Sequence, residues 1–265
     1  MDIYVSAKDR FELSSTSKGN QIKWFKDNTY IKADTLGYEG FAEALTSELL
    51  HYIKSDYSFI DYYLCTINED DRVYSGCYSD NYLKANESFI SFYRILQQYD
   101  KNIDNLLKKY NGKDLINFVV NIIKQMSSID CYEYLGYICK FDAIIYNEDR
   151  HFNNLNLIYN SISHTFSLSP IFDNGLSLLS DTHDYPLTTP YDKCMQLVKC
   201  KPFTTNFRKQ YSYFSDLDLI KIDFDSFMNS LVENDKLFNS PEYIRAKNVL
   251  LKSLKSKEGI VWQRV

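Results

Sequence analysis

The chain has 265 residues, a formal net charge of −5 at pH 7, and 45% hydrophobic against 25% charged side chains. That balance describes an ordinary globular protein with room for one large domain or two packed lobes, and not a disordered chain. A net-negative chain without a strong basic run is a poor ligand for a phosphate backbone, so direct nucleic-acid binding is not expected, and the 23 Tyr and 17 Phe read as packing residues.

The six Cys (Cys65, Cys77, Cys131, Cys139, Cys194 and Cys200) include no C-x-x-C pair and no nearby Cys/His cluster, which argues against zinc. Met1-Asp2-Ile3-Tyr4 opens without a basic leader, and no run of about eighteen apolar residues exists to span a bilayer. The expectation is a reduced, cytoplasmic protein that engages no membrane.

In chain order, Ser14-Ser15-Thr16-Ser17-Lys18-Gly19-Asn20 is a small-residue loop with turn chemistry. Gln21–Phe25 and Thr29–Ala33 read as short strands separated by the turn residues Asp27 and Asn28. From Glu39 to Lys54 the period changes: Phe41, Leu45, Leu49 and Ile53 recur every four residues, as on an amphipathic helix. Phe59–Thr66 is strand-like, and polar turns are expected from there to Asp80. Residues 87–98, 113–126 and 131–145 carry helical spacing, Leu155–Tyr159 and Thr165–Ile171 form a hairpin, and residues 214–256 are again helical. The expected architecture is α+β and two-lobed like a protein kinase, with a small β-rich lobe over residues 1–80 and a larger helical lobe over 81–265.

Chemistry concentrates in Asn147-Glu148-Asp149-Arg150-His151-Phe152-Asn153-Asn154 and in Phe172-Asp173-Asn174-Gly175 beyond the hairpin. Phosphoryl transfer needs a carboxylate to orient the attacking hydroxyl and oxygen ligands to hold magnesium against nucleotide phosphates. Asn154 stands five residues after Asp149, and Asp173 follows the hairpin with a Gly two residues later. That is the order and spacing of a catalytic Asp followed by two metal ligands.

Asp-Arg-His with an Asn two residues after the His resembles the catalytic loop of phosphatidylinositol 3/4-kinases. With the N-terminal features, the chain resembles a HipA-like serine/threonine kinase, a bacterial toxin kinase family, from about Thr16 to about Phe207. The resemblance implies Asp149 as the catalytic Asp, His151 as a loop-ordering residue, and Asn154 and Asp173 as magnesium ligands for ATP. It is to short forms whose N-terminal subdomain can be a separate protein, which implies a small antitoxin-like partner besides a protein substrate. The small-residue loop ends in the family's Gly-x-Gln-x-Lys pattern, here Gly19-Asn20-Gln21-Ile22-Lys23. Ser17 and Gly19 would then cover the phosphates, and autophosphorylation at Ser14–Ser17 would silence the enzyme by charge repulsion.

Such an enzyme also needs a strand Lys for the phosphates and a helix Glu to hold it. Lys32 fits, with Lys23 and Lys26 as competitors. For its partner, helical geometry puts Glu48 at the edge of the apolar stripe, whereas the resemblance favours Glu43 over Glu39 and Glu48. The segment Ser177–Pro190, with Asp181 and Asp184, fits an acidic acceptor-binding segment. Rival readings are a lipid or small-molecule kinase and a non-catalytic ATP-binding pseudokinase.

Overall fold

The computed structural model describes residues 1–11, 21–235, 237–257 and 262–264. The loop Ser14–Ser17, and with it Ser17 and Gly19, lies outside the described residues. The chain runs through β1 (Asp2–Val5), β2 (Lys23–Lys26), β3 (Thr29–Ala33), α1 (Glu39–His51), β4 (Tyr63–Glu69) and β5 (Arg72–Asp80). These strands make one sheet in the order β1-β4-β5-β3-β2, antiparallel except for β1 against β4. There follow β6 (Glu87–Ser91), α2 (Phe92–Tyr99), α3 (Ile103–Leu107), α4 (Gly112–Ser127), α5 (Tyr132–Ile145), β7 (Asn156–Asn160) and β8 (Thr165–Leu168). Beyond them lie α6 (Tyr191–Met195), α7 (Phe207–Ser212), β9 (Ile220–Ile222), α8 (Phe224–Asp235), α9 (Pro241–Lys257) and β10 (Trp262–Arg264). The fold is α+β, with a curled β-rich N-terminal part and a largely helical remainder.

α1 links the two parts. Leu45, Leu49, Leu50 and Ile53 enter the larger core with α2, α4, α5 and α9, while the opposite flank of the helix lies on β3, β4 and β5. The sheet has its own core of Val5, Trp24, Ile31, Ala33, Cys65 and Ile67. All six Cys are buried and free. No helix among the described residues is long and apolar enough to cross a membrane.

Three sequence expectations need correction, the simplest being that residues 214–256, expected as helical, contain the strand β9. Arg72–Asp80, expected as polar turns, is β5, the strand between β4 and β3. It lacks apolar alternation because α1 crosses it closely: a Cβ at Gly40 would stand 2.9 Å from the Gly76 carbonyl carbon, so small residues are required there. Residues 87–98, expected as one helix, divide into β6 and α2 at Ser91, whose Oγ accepts the Arg94 N–H at 3.2 Å as an N-cap.

β6, β7 and β8 form a three-stranded antiparallel sheet, and its β7–β8 hairpin positions the site. At the open end of an antiparallel hairpin the flanking segments come together, so the loop before β7 and the turn after β8 become neighbours. The second flank is tied to the chain before β4 by reciprocal bonds, Ile60 N–H to Ile171 O at 3.0 Å and Ile171 N–H to Ser58 O at 2.8 Å.

Gly76 offers a direct check on the sheet. A Cβ there would lie 2.1 Å from the Lys32 carbonyl oxygen and 2.8 Å from Ile67 Cδ1, so β3 and β5 would have to part. Gly76→Ala is expected to lower stability by about 1–3 kcal/mol, read as a shifted denaturation midpoint with an unchanged slope.

Candidate active site

Three elements converge on the ammonium of Lys32 in β3. Its Nζ donates to Glu43 Oε1 of α1 at 2.7 Å, to Asp173 Oδ1 at 3.0 Å and to the Tyr62 hydroxyl at 3.3 Å. Of the three helix carboxylates, Glu43 is therefore the one that meets Lys32. Glu39 instead accepts the backbone N–H groups of Thr35, Leu36 and Gly37, organising the turn that leads into α1. Glu48 is half-buried and is not among the partners of Lys32. A single apolar face would put Glu48 at its edge, but α1 is buried on two flanks. Burial works to lower the Lys32 ammonium, but Asp173 and Glu43 outweigh it and hold it well above the usual lysine value.

Asp173 adopts a left-handed backbone with φ of 60°, an uncommon conformation for a residue with a side chain. The turn is held from both sides: the Asn174 N–H donates to Glu43 Oε2 at 2.9 Å, so one carboxylate grips both Lys32 and this turn. Burial alone would raise the Asp173 carboxyl; the Lys32 ammonium, with Lys23 and Arg150 further out, holds it well below the ordinary carboxylate range.

The Asp149 loop hangs from a buried ion pair. α5 is enclosed on nearly all sides, yet it carries Asp142, which is fully buried and meets Arg150 Nη2 at 3.0 Å and Nε at 3.1 Å. The same guanidinium donates to Phe172 O at 2.8 Å and Asn174 Oδ1 at 2.6 Å, joining the loop to the Asp173 turn. Asn147 completes the frame: its Nδ2 donates to Asp142 Oδ1 at 3.1 Å and its Oδ1 accepts the Asp149 N–H at 3.0 Å. Arg150 thus recruits a planar fork that a Lys could not supply.

His151 orders the loop backbone. Its carbonyl accepts the Asn154 N–H at 2.9 Å, and its Nδ1 accepts the Asn153 N–H at 3.3 Å. An accepting Nδ1 places the ring proton on Nε2, which is buried, has no hydrogen-bond partner among the described residues and lies 3.6 Å from Asp149 Oδ2. Asn154 Nδ2 donates to Asp149 O at 3.0 Å, leaving its amide oxygen as the remaining acceptor.

Asp149, Asn154, Asp173 and Gly175 line one open cleft, faced by Lys23 and Glu39 from the N-terminal part. Lys23 sits directly across the β2–β3 ladder from Lys32. Burial pulls its ammonium below the ordinary lysine value, against the opposing field of Asp173. The two hard oxygen donors, Asn154 and an ionised Asp173, suit a magnesium ion, which takes few protein ligands and keeps several waters. The chemistry of this donor set fits the metal expected from sequence.

Two partners escaped the sequence reading. Lys201, in the chain between α6 and α7, reaches Asp149 Oδ1 at 2.9 Å, and no motif marks it. Asp142 carries a weak signal, an acidic residue within the apolar stretch Phe141–Ile145 at the end of α5, eight positions before Arg150. The acidic segment also needs correction. Asp181 is buried at 3% exposure, and its Oδ1 caps the His183 and Asp184 N–H groups at 3.0 and 3.2 Å, so it does not face an acceptor. Asp181 and Asp184 gather instead with Glu148, with carboxylate oxygens within 4.8 Å of one another.

No protein-family model matches the chain. No curated protein matches it. Among solved structures, the chain is similar to the Helicobacter pylori proinflammatory kinase CtkA, with a TM-score of 0.60 and 14% sequence identity. The match covers 96% of this chain and 94% of that one. The class it defines is a kinase-like fold, shared over nearly the full length.

The Arg150–Asp142 pair yields a stability prediction. Arg150→Met strands a buried carboxylate and is expected to cost about 3–5 kcal/mol in denaturation. The loss should shrink as pH falls, because burial already raises the Asp142 carboxyl and protonation then removes the buried charge. Adding Asp142→Asn should recover part of the loss at neutral pH.

Proposed function

We propose that the protein is an ATP-dependent phosphotransferase that uses the cleft between Lys32 and Asp149. The observation that carries this reading is the gathering of Asp149, Asn154 and Asp173 on one cleft wall, with the Lys32–Glu43 pair anchoring Asp173 beside them. The kinase-like fold supports it. Lys32 would bind nucleotide phosphate, Glu43 would hold Lys32 and the Asp173 turn, and Asn154 and Asp173 would hold magnesium. That ion supplies charge neutralisation at the phosphate oxygens when it is bound. Asp149 would orient the acceptor hydroxyl and take its proton.

The finer reading is a HipA-like serine/threonine kinase with a protein substrate, and it rests on the resemblance of the Asp149-Arg150-His151 loop taken together with the Gly19-Asn20-Gln21-Ile22-Lys23 pattern. The same resemblance supports a toxin neutralised by a separate small protein and silenced by autophosphorylation among Ser14–Ser17. Intact Asp149, Asn154 and Asp173 speak for catalysis over a pseudokinase.

Binding and chemistry should separate. Mg-ATP is expected to raise the melting temperature, with about 2.7 kcal/mol of stabilisation at one hundred times its dissociation constant. Asp173→Ala should lose the magnesium-dependent part; equal shifts in EDTA and magnesium would remove Asp173 as a ligand. Asp149→Asn keeps its shape and lacks the proton acceptor, so it should bind Mg-ATP and transfer almost no label to protein in lysate. Label entering phosphoinositide vesicles and no protein would turn the reading to a lipid kinase. Peptide spectra after incubation with Mg-ATP should place phosphate on Ser14, Ser15, Thr16 or Ser17 of the wild type and not of Asp149→Asn.

A further inference from the structure

We propose that Lys201 is a positioning residue for phosphoryl transfer: it pins one oxygen of the Asp149 carboxylate and leaves the other for the acceptor hydroxyl. The inference rests on the phosphotransferase reading of the cleft and adds to it a residue outside the Asn147–Asn154 and Phe172–Gly175 stretches.

A carboxylate on an sp³–sp² torsion turns in a broad, two-fold well, so an aspartate that must present one oxygen to a substrate needs its other oxygen held. In Asp149 the two oxygens differ. Oδ1 accepts from Lys201 Nζ at 2.9 Å, a charge-assisted hydrogen bond. Oδ2 lies 3.6 Å from His151 Nε2, too long for a hydrogen bond, and accepts no hydrogen bond among the described residues. Oδ2 is therefore the oxygen with capacity left, and Asp149 lines the cleft.

Lys201 is itself held in place. Gln210, on α7 and wholly buried, donates from Nε2 to the Lys201 carbonyl at 3.1 Å and accepts the Phe203 N–H through Oε1 at 3.2 Å. Phe203 is buried in the larger core, and its carbonyl accepts the Gly112 N–H at 3.3 Å. The backbone of Lys201 is thus fastened to α7 and to the start of α4, while its side chain remains 49% exposed over Asp149. Asp149 is only 8% exposed, so Lys201 also compensates a nearly buried carboxylate, and a role in geometry has to be read from turnover and not from stability.

In the step this serves, the acceptor oxygen forms a bond to the γ-phosphorus and the bond from that phosphorus to the bridging oxygen breaks. ADP leaves, and the hydroxyl proton passes to Asp149 Oδ2. Lys201 keeps its own protons throughout. Its effect is on how often Oδ2 points at the hydroxyl, so it acts on turnover and not on nucleotide binding.

The test uses the full chain with labelled Mg-ATP and lysate protein as acceptor. Lys201→Met is expected to lower kcat roughly 100-fold, the size of effect that about 1 Å of misplacement produces, with KM for ATP and the Mg-ATP melting shift unchanged. Lys201→Arg should keep most of the rate, and Lys201→Ala should regain rate on addition of ethylammonium or propylammonium. Rescue by a free ammonium is a readout that a merely structural lysine would not give. Wild-type turnover in Lys201→Met, a KM for ATP that rises in step with the loss of rate, or a folded Lys201→Ala that no alkylammonium rescues would each overturn the assignment while leaving the phosphotransferase reading in place. A wild type that binds Mg-ATP but transfers label to no acceptor and hydrolyses none would overturn both.

Discussion

Everything at the cleft depends on keeping one ammonium charged where little water reaches it. Lys32 is 8% exposed, and stripping a lysine of solvent costs several kcal/mol unless carboxylates replace the lost hydration. Glu43 comes from the helix over the sheet and Asp173 from the turn after the β7–β8 hairpin, so the charge is compensated only when both parts of the molecule stand in this relation. The two carboxylates exceed the single ammonium, and Lys23 across the ladder supplies further positive field at Asp173. The interaction is therefore a registration device between sheet, helix and turn as much as a bond.

Arg150 repeats the principle on the other side of the cleft. Its guanidinium is 1% exposed and binds Asp142 of α5, while two more of its bonds reach Phe172 and Asn174. Because Glu43 holds the Asn174 N–H and Arg150 holds the Asn174 side chain, Asn174 is where the two buried ion pairs meet. A residue that reads in sequence as a turn former is thus the joint between Lys32 and the Asp149 loop. Sites supported in this way stay within a narrow geometry because the supporting groups have no alternative partners at equal energy.

How much of this was legible in the sequence follows from the range of each interaction. The four-residue recurrence of Phe41, Leu45, Leu49 and Ile53 gave α1 because one flank of that helix meets a single apolar core. Asp149, Asn154 and Asp173 could be read because the hairpin between them is local, and its open end brings its flanks together without help. β5 was hidden because its burial is achieved by Gly76, Cys77 and Ser79, residues chosen for the close passage of α1 and not for apolarity. β6 merged with α2 because Ser91 ends a strand and caps a helix at one residue. Lys201 and Asp142 stand outside the motif, at separations set by tertiary packing, and an isolated Lys or Asp has no periodicity to betray a partner. The choice between Glu43 and Glu48 failed on the apolar-stripe argument for a related reason: a helix between two layers has two inner faces, and the stripe describes only one.

Asp173 and the segment after it carry backbone strain close to the cleft. Asp173, Leu178 and Leu179 have φ values of 60°, 52° and 64°, a conformation that costs side-chain-bearing residues on the order of 1–3 kcal/mol each. Such a run persists only if its surroundings over-determine it. The bonds are there: Leu178 N–H to Ile145 O at 2.9 Å, Tyr38 Oη to Leu178 O at 2.8 Å, and Ser180 Oγ to Gly175 O at 2.6 Å. Leu178 and Leu179 are themselves buried in the larger core, so apolar burial offsets backbone strain within the same two residues. Two of the anchors come from Tyr38, whose N–H also reaches Ser180 O at 3.2 Å just before α1 begins. The strained winding and the buried ammonium consequently share a support. α1 carries Glu43 to Lys32 and the Asp173 turn, and the residue that precedes it holds the chain that leaves that turn. The chain leaving the left-handed turn at Asp173 is therefore held by Glu43 of α1 and by Tyr38 just before that helix, which lets an energetically unfavourable backbone present a carboxylate to the cleft in one orientation.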